Sequence, residues 1–291
     1  MIEVDRLVKR YGGHTALDGI SFSVKGGSVT AFLGLNGAGK STTLRVLSCF
    51  LPPTSGTVSV AGFDVVRQSE QVRRTIGYLP ESVPLHLEMK VGEYLSFRAR
   101  LKGVAARDVA SAIAAAASRC DVLDVLNAPI GSLSKGYRQR VGIADAIVHR
   151  PKVLILDEPT SGLDPAQRLQ VRALVRELGA DRTVFVSTHI IPEVEATCDT
   201  VVVIHRGRVL NAGPLQSMSR GGGVRLTVRG TDLPNGESRS DGTSFAVFKD
   251  AEEASSAAAR ALKAGGQIIE LAPEREGLEV AFARMTTGAD A

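Results

Sequence analysis

Gly34-Leu35-Asn36-Gly37-Ala38-Gly39-Lys40-Ser41-Thr42 follows a short apolar run, Thr30 to Leu33, and opens a segment of helical character, Thr42 to Leu51. The pattern is G-x-x-x-x-G-K-[ST] between a strand and a helix, the context in which such a loop wraps phosphate. Its glycines let the backbone curl until successive N–H groups converge, and the helix that starts there adds the positive end of its dipole. Asn36, Gly37, Ala38, Gly39, Lys40, Ser41 and Thr42 are therefore candidate nucleotide-binding residues. Lys40 suits the β- and γ-phosphates, and the Ser41 hydroxyl suits Mg²⁺. The stretch predicts an α/β fold that binds a nucleoside triphosphate.

Around this loop, strand-like runs alternate with turn signals: Ser21 to Val24, Val29 to Leu33 and Thr57 to Val60. Val153 to Leu156, Thr183 to Val186 and Val201 to Ile204 are unbroken apolar runs, as expected of strands covered on both faces. Between them the chain changes character. Ala105 to Ala117 is dominated by alanine, and Val109 and Ile113 share one helical face, which predicts a helical subdomain at about 85–150. The main domain is expected to span 1–219. Arg220-Gly221-Gly222-Gly223 reads as a flexible linker. Two strands, a helix (Glu252 to Lys263), a strand (Gln267 to Leu271) and a helix (Leu278 to Met285) then predict a small α/β domain at 220–291.

The 291 residues are 44% hydrophobic and 23% charged, an ordinary globular composition. No run of eighteen apolar residues could span a bilayer, and the first residues carry no secretory pattern. Cys49, Cys120 and Cys198 lack paired metal-type spacing and read as reduced thiols, with Cys49 and Cys198 in or near the core. The net charge of +4 is mild. No basic cluster is interleaved with aromatics, so no nucleic-acid partner is expected. The chain shows no internal repeat.

Val153-Leu154-Ile155-Leu156-Asp157-Glu158-Pro159 is an apolar strand ending in adjacent acids. Asp157 suits a hold on Mg²⁺, and Glu158 suits the base that orients the attacking water. Upstream lies Leu133-Ser134-Lys135-Gly136-Tyr137-Arg138-Gln139-Arg140, entering a helical stretch from Val141 to Val148. Ser161-Gly162-Leu163-Asp164 and Ser187-Thr188-His189 complete the order. With these five elements, Met1 to about Gly213 resembles the ABC ATPase family, whose members bind and hydrolyse ATP with Mg²⁺. The resemblance implies a P-loop core with a mixed sheet and a helical subdomain. It assigns Tyr11 to adenine stacking, His189 to sensing the γ-phosphate, and Asp164, in the family's D-loop, to nucleotide binding. Ser134 and Gly136 would cap the ATP held by an opposite subunit in a head-to-tail homodimer or pseudo-dimer. With no membrane segment of its own, such a subunit would work in the cytoplasm, peripheral to the inner face of the membrane, against a separately encoded integral permease. A soluble ABC ATPase in a non-transport complex is the alternative.

Three positions depart from the family's commonest pattern. Leu35 replaces a proline, and Lys135 and Tyr137 replace glycine and glutamine in the signature, with Lys135 facing either solvent or the partner's phosphates. In Ile76-Gly77-Tyr78-Leu79-Pro80-Glu81, glutamate stands where glutamine is usual, as a contact to Mg²⁺ and to the attacking water. A carboxylate can ligate the ion but cannot donate as an amide does. With the C-terminal appendage, these features resemble ATPase subunits of bacterial exporters, most closely the gliding-motility type. Glu81→Gln is expected to alter the Mg²⁺ dependence of ATP turnover. Unchanged ATPase rate, Mg²⁺ dependence and transport coupling would remove Glu81 from the site.

Overall fold

The apolar runs at the centre of the sequence become buried strands of one sheet. The computed structural model describes residues 1–218, 220–275 and 277–288. Strands β1 (Ile2–Tyr11), β2 (His14–Val24) and β3 (Val29–Leu33) lead into helix α1 (Lys40–Leu47). Then come β4 (Ser55–Val60), β5 (Phe63–Asp64), α2 (Ser69–Thr75) and β6 (Ile76–Leu79). Helices α3 (Val91–Leu101), α4 (Val109–Arg119) and α5 (Lys135–Ile147) precede β7 (Val153–Asp157). The pattern closes with α6 (Pro165–Gly179), β8 (Thr183–Thr188), α7 (Ile191–Thr197), β9 (Thr200–His205) and β10 (Arg208–Pro214).

The six-stranded sheet has the order β10-β9-β3-β8-β7-β6. It is parallel from β9 to β6, and β10 pairs antiparallel at one edge. Every residue of β3, β7 and β8 is buried, the pattern of a sheet covered on both faces. A second, antiparallel sheet, β2-β1-β4-β5, shares its core. Phe22 of β2 meets Phe32 of β3 and Phe185 of β8, with ring centroids 5.3–5.7 Å apart. Each such buried aromatic contributes about 1.5–3 kcal/mol.

Helices α3, α4 and α5 form the helical region. Val109, Ala112 and Ala116 are buried on one face of α4, while Ile113 is half-buried. Asp145 of α5 is buried and receives Arg98 Nε at 3.0 Å and Lys102 Nζ at 2.7 Å, both from α3 or its end. Burial alone would raise the Asp145 pKa, but Lys102 and Arg98 outweigh it and hold the carboxyl below its ordinary range. Cys120 and Cys198 are buried, Cys49 is half-buried against the core, and all three are free.

The chain divides into two compact units, Met1–Pro214 and Leu215–Ala291. The second holds α8 (Leu215–Met218), β11 (Arg220–Arg229), β12 (Glu237–Ser238), β13 (Thr243–Phe248), α9 (Ala251–Lys263), β14 (Gln267–Arg275) and α10 (Leu278–Gly288). Its antiparallel sheet runs β12-β13-β11-β14. Ala257, Ala258 and Ala261 of α9 pack on Leu226, Val228 and Ala246. Asp250 caps α9, accepting from the backbone N–H groups of Glu252 and Glu253. The expected linker is corrected here: Arg220 to Gly223 belongs to β11, held between the Arg220 pairing with Arg275 of β14 and the ladder to β13 and β14 that begins at Val224. The division falls five residues before the boundary expected at 219/220. Among the described residues, no helix is long and apolar enough to cross a membrane.

His149, just beyond α5, bonds the Ile76 carbonyl through Nε2 at 2.9 Å. Burial, with Lys102 adding to it, lowers its pKa from 6.5 to about 4. An unfolded chain takes up this proton first, so acid favours unfolding between those two values. The melting temperature is expected to fall as pH drops from 6.5 to about 4, and His149→Gln should flatten that decline in scanning calorimetry.

Candidate nucleotide site

Four neighbouring parallel strands deliver the site from one edge of the sheet. Leu33 of β3 pairs with Thr188 of β8, Ser187 of β8 with Asp157 of β7, and Leu156 of β7 with Leu79 of β6. Their C-terminal ends carry, in turn, the glycine-rich loop, His189, the Asp157-Glu158 pair and Glu81. Ligands of open α/β sheets bind at this carboxyl edge.

The loop closes on Gly39, whose φ of 107° is left-handed. A Cβ there would come within 2.7 Å of Leu17 Cδ2, so both conformation and space demand glycine. Helix α1 begins at the next residue, and the N–H groups of its first turn have no partner within the helix. Lys40 is only 6% exposed. Its ammonium donates to the Gly34 carbonyl at 2.8 Å and the Leu35 carbonyl at 3.3 Å, and pairs with Glu158 Oε1 at 3.2 Å. Ala38 is buried, its N–H bonded to the Leu35 carbonyl, so it shapes the loop from beneath.

Asp157 and Glu158 are held apart although they are adjacent. Asp157 Oδ1 accepts from Ser187 Oγ at 2.7 Å and from Ser41 Oγ at 3.3 Å. Glu158 stands at a φ of 48°, which turns its side chain toward the loop, and its N–H donates to Ser187 Oγ at 2.9 Å. Its Oε2 lies 2.9 Å from His189 Nδ1. Lys40, Glu158 and His189 thus form a continuous chain of side-chain contacts. The charge on Asp157 is also felt at Tyr78, whose phenol is pushed up to about 12, first by burial and then by that carboxylate.

A cleft of about 510 Å³ opens over this chain. Tyr11, Asn36, Gly37, Gly39, Lys40, Ser41, Thr42, Glu81, Glu158 and His189 all line it. Tyr11 is 45% exposed, with the Lys9 ammonium 5.2 Å from its ring centroid. Ser134, Gly136 and Asp164 do not line it. Ser134 caps α5, accepting from the Tyr137 N–H at 3.3 Å, and Asp164 caps α6, accepting from the Gln167 N–H at 2.9 Å. The Lys135 ammonium lies against Gly162, so close that a Cβ there would collide with it. His14, Ala16 and Ser161 line the cleft without having been singled out, and Ser187 positions both acids. Only the adjacency of Ser187 to Thr188-His189 hinted at its part.

A family model described as ABC transporter matches residues 17–161. The uncharacterized ABC transporter ATP-binding protein YxlF of Bacillus subtilis is 38% identical over 220 residues, covering 76% of this chain and 73% of its own. The chain belongs to the ABC transporter ATP-binding family. The bacitracin transport ATP-binding protein BcrA of Bacillus licheniformis is 33% identical, over 76% of this chain and 72% of its own. The daunorubicin resistance ATP-binding protein DrrA3 of Streptomyces coeruleorubidus is 38% identical, over 78% and 72%. A solved ATP-binding subunit of an ABC transporter superposes with a TM-score of 0.68 at 31% identity, over 75% of this chain and 91% of its own. A dimeric ABC transporter cassette, MJ0796, shares the fold at a TM-score of 0.67 and 24% identity, over 74% of this chain and 99% of its own. The chain is accordingly an ATP-hydrolysing subunit of an exporter-type ABC system, energising transport through a separate membrane component. The reading as an ATPase of a non-transport complex is set aside.

Proposed function

We propose that Glu158, His189 and Lys40 perform the hydrolysis, and the observation that carries this is their contiguous contact at the carboxyl edge of the sheet. Lys40 takes phosphate oxygens, a role that releases its present contact with Glu158. Glu158 then accepts a proton from the water that attacks the γ-phosphorus. The bond from that phosphorus to the bridging oxygen breaks, and ADP and phosphate leave. His189 orients Glu158 through Nδ1 and contacts the γ-phosphate. Tyr11 stacks on the base at the rim of the cleft.

The residues also fit Mg²⁺. Ser41 and Asp157 place a hydroxyl and a carboxylate side by side, with Glu81 at the same cleft. Among the described residues, no cluster of three or more His, Cys, Asp or Glu forms a metal cage. That suits an ion which takes its remaining ligands from phosphate and water. When bound, the ion would neutralise charge on the phosphates.

Ser134, Gly136 and Asp164, which do not line this cleft, serve a second subunit in a head-to-tail dimer, homodimer or pseudo-dimer. The likeness in fold to a dimeric cassette supports that arrangement. The integral permease contact is assigned to a groove of about 820 Å³ lined by Arg73, Arg74, Tyr78, Arg98 and Lys102, which Tyr78 of β6 enters three residues before Glu81. The subunit therefore works at the cytoplasmic face of the membrane.

Glu158→Gln is expected to cut ATP turnover on the order of 100-fold or more while ATP still binds. In ATP and Mg²⁺ it should elute as a dimer by size-exclusion chromatography, and a monomer would count against the sandwich. Lys40→Ala should instead raise the Kd for ATP at least about tenfold in calorimetry, the loss of a charge-assisted phosphate contact.

A further inference from the structure

One buried carboxylate in the main unit takes no part in the chemistry above. Glu193 lies in the first turn of α7 and is 7% exposed. Its Oε2 accepts from Thr160 Oγ1 at 2.9 Å and from Thr188 Oγ1 at 3.2 Å, and both threonines are buried. Thr160 stands two residues after Glu158, and Thr188 immediately precedes His189. One oxygen atom therefore joins the two chain segments that leave the strand ends carrying the Glu158–His189 pair. Thr188 Oγ1 also accepts from the Ile190 N–H at 3.0 Å, so the backbone on both sides of His189 is tied to the same carboxylate.

The other oxygen, Oε1, has no hydrogen-bond partner, and neither does Arg168 Nε of α6, which faces it at 3.7 Å. Helix α6 begins directly after Ser161-Gly162-Leu163-Asp164. Burying a carboxylate against two neutral hydroxyls and one loose cation costs desolvation that an apolar side chain would avoid. Packing alone gives no reason for glutamate here. Position does: Glu158 has a left-handed φ that its neighbours must sustain, and a misplacement on the order of 1 Å can cost about 100-fold in rate.

We infer that Glu193 is a positioning residue of ATP hydrolysis, fixing the distance between the segment after Glu158 and the segment that carries His189. The inference rests on the catalytic assignment of Glu158 and His189, and it acts through them, since Glu193 does not line the nucleotide cleft. Ser187 pins the same two strands beneath the pair through the Glu158 N–H and Asp157, and Glu193 pins them beyond it. Together they leave the pair no room to separate without breaking a buried hydrogen bond.

The test is steady-state ATPase kinetics of the purified full chain, with Glu158→Gln and His189→Ala as controls. Glu193→Ala should lower kcat at least about tenfold while KM for ATP stays within about threefold. Glu193→Gln keeps an oxygen for both hydroxyls and should restore kcat to within about threefold of the unmodified chain. Added to His189→Ala, Glu193→Ala should lower kcat less than about twofold further, because its partner in catalysis is already gone. Should Glu193→Ala fail to fold, Thr160→Val must show a selective fall in kcat on its own. An unchanged kcat, a Gln variant as impaired as the Ala variant, or fully multiplicative effects on the residual turnover of His189→Ala would overturn the inference while both controls stay strongly impaired. Controls as fast as the unmodified chain would overturn the catalytic assignment itself.

Discussion

An ammonium group sealed from water must have anions or carbonyls around it, and Lys40 has both. At 6% exposure it is held between the Gly34 and Leu35 carbonyls and the Glu158 carboxylate. Desolvation of the two charges consumes much of their attraction, so the pair is a poor source of net stability. It is, however, a strong constraint on geometry: removing either partner leaves the other buried and uncompensated. The loop backbone, the strained turn at Glu158 and the ring of His189 are all arranged around that one contact. In the proposed mechanism a triphosphate entering the cleft would compete for the same ammonium. Binding would then exchange one anion for another and free the Glu158 carboxylate for the attacking water.

That exchange is possible only because the strands are in register. β3, β8 and β7 are adjacent and parallel, and pairs such as Leu33 with Thr188 and Asp157 with Ser187 bring their ends level. A slip of one residue would turn each side chain to the opposite face. The stacked Phe22, Phe32 and Phe185 help prevent it by locking the second sheet onto β3 and β8. The core thus does more than supply burial, since it sets the relative height of the loop, the acids and the histidine.

The site was legible in the sequence to the extent that its chemistry is carried by short contiguous patterns. The loop from Gly34 to Thr42, the apolar strand ending in Asp157-Glu158, and His189 after another strand each announce themselves by residue type and spacing. Ser187 and Glu193 do not. Their roles depend on which strands are neighbours and which way one side chain points, and single serines and glutamates are common in any chain. The glycine run at 221–223 misled for the opposite reason. Local freedom suggested a linker, whereas the run lies inside β11, between the Arg220–Arg275 pair and the continuous ladder that begins at Val224. Propensity is a local quantity, and strand pairing at both ends of a run outweighs it.

The residues that stay out of the cleft have a mechanical logic of their own. Ser134 is the N-cap of α5, while Asp145, near the other end of that helix, is clamped by Arg98 and Lys102. Arg98 and Lys102 also line the groove beside Tyr78. At its signature end α5 is tied again: Tyr137 donates to Asp124, and Arg140 stacks over the Tyr137 ring at 4.2 Å and pairs with Asp121. One thirteen-residue helix therefore joins the groove assigned to the permease to the serine assigned to the partner's ATP. The buried Asp145 cluster, costly as a source of stability, fixes α3 against α5, because removing either cation would leave a buried carboxylate short of its partners.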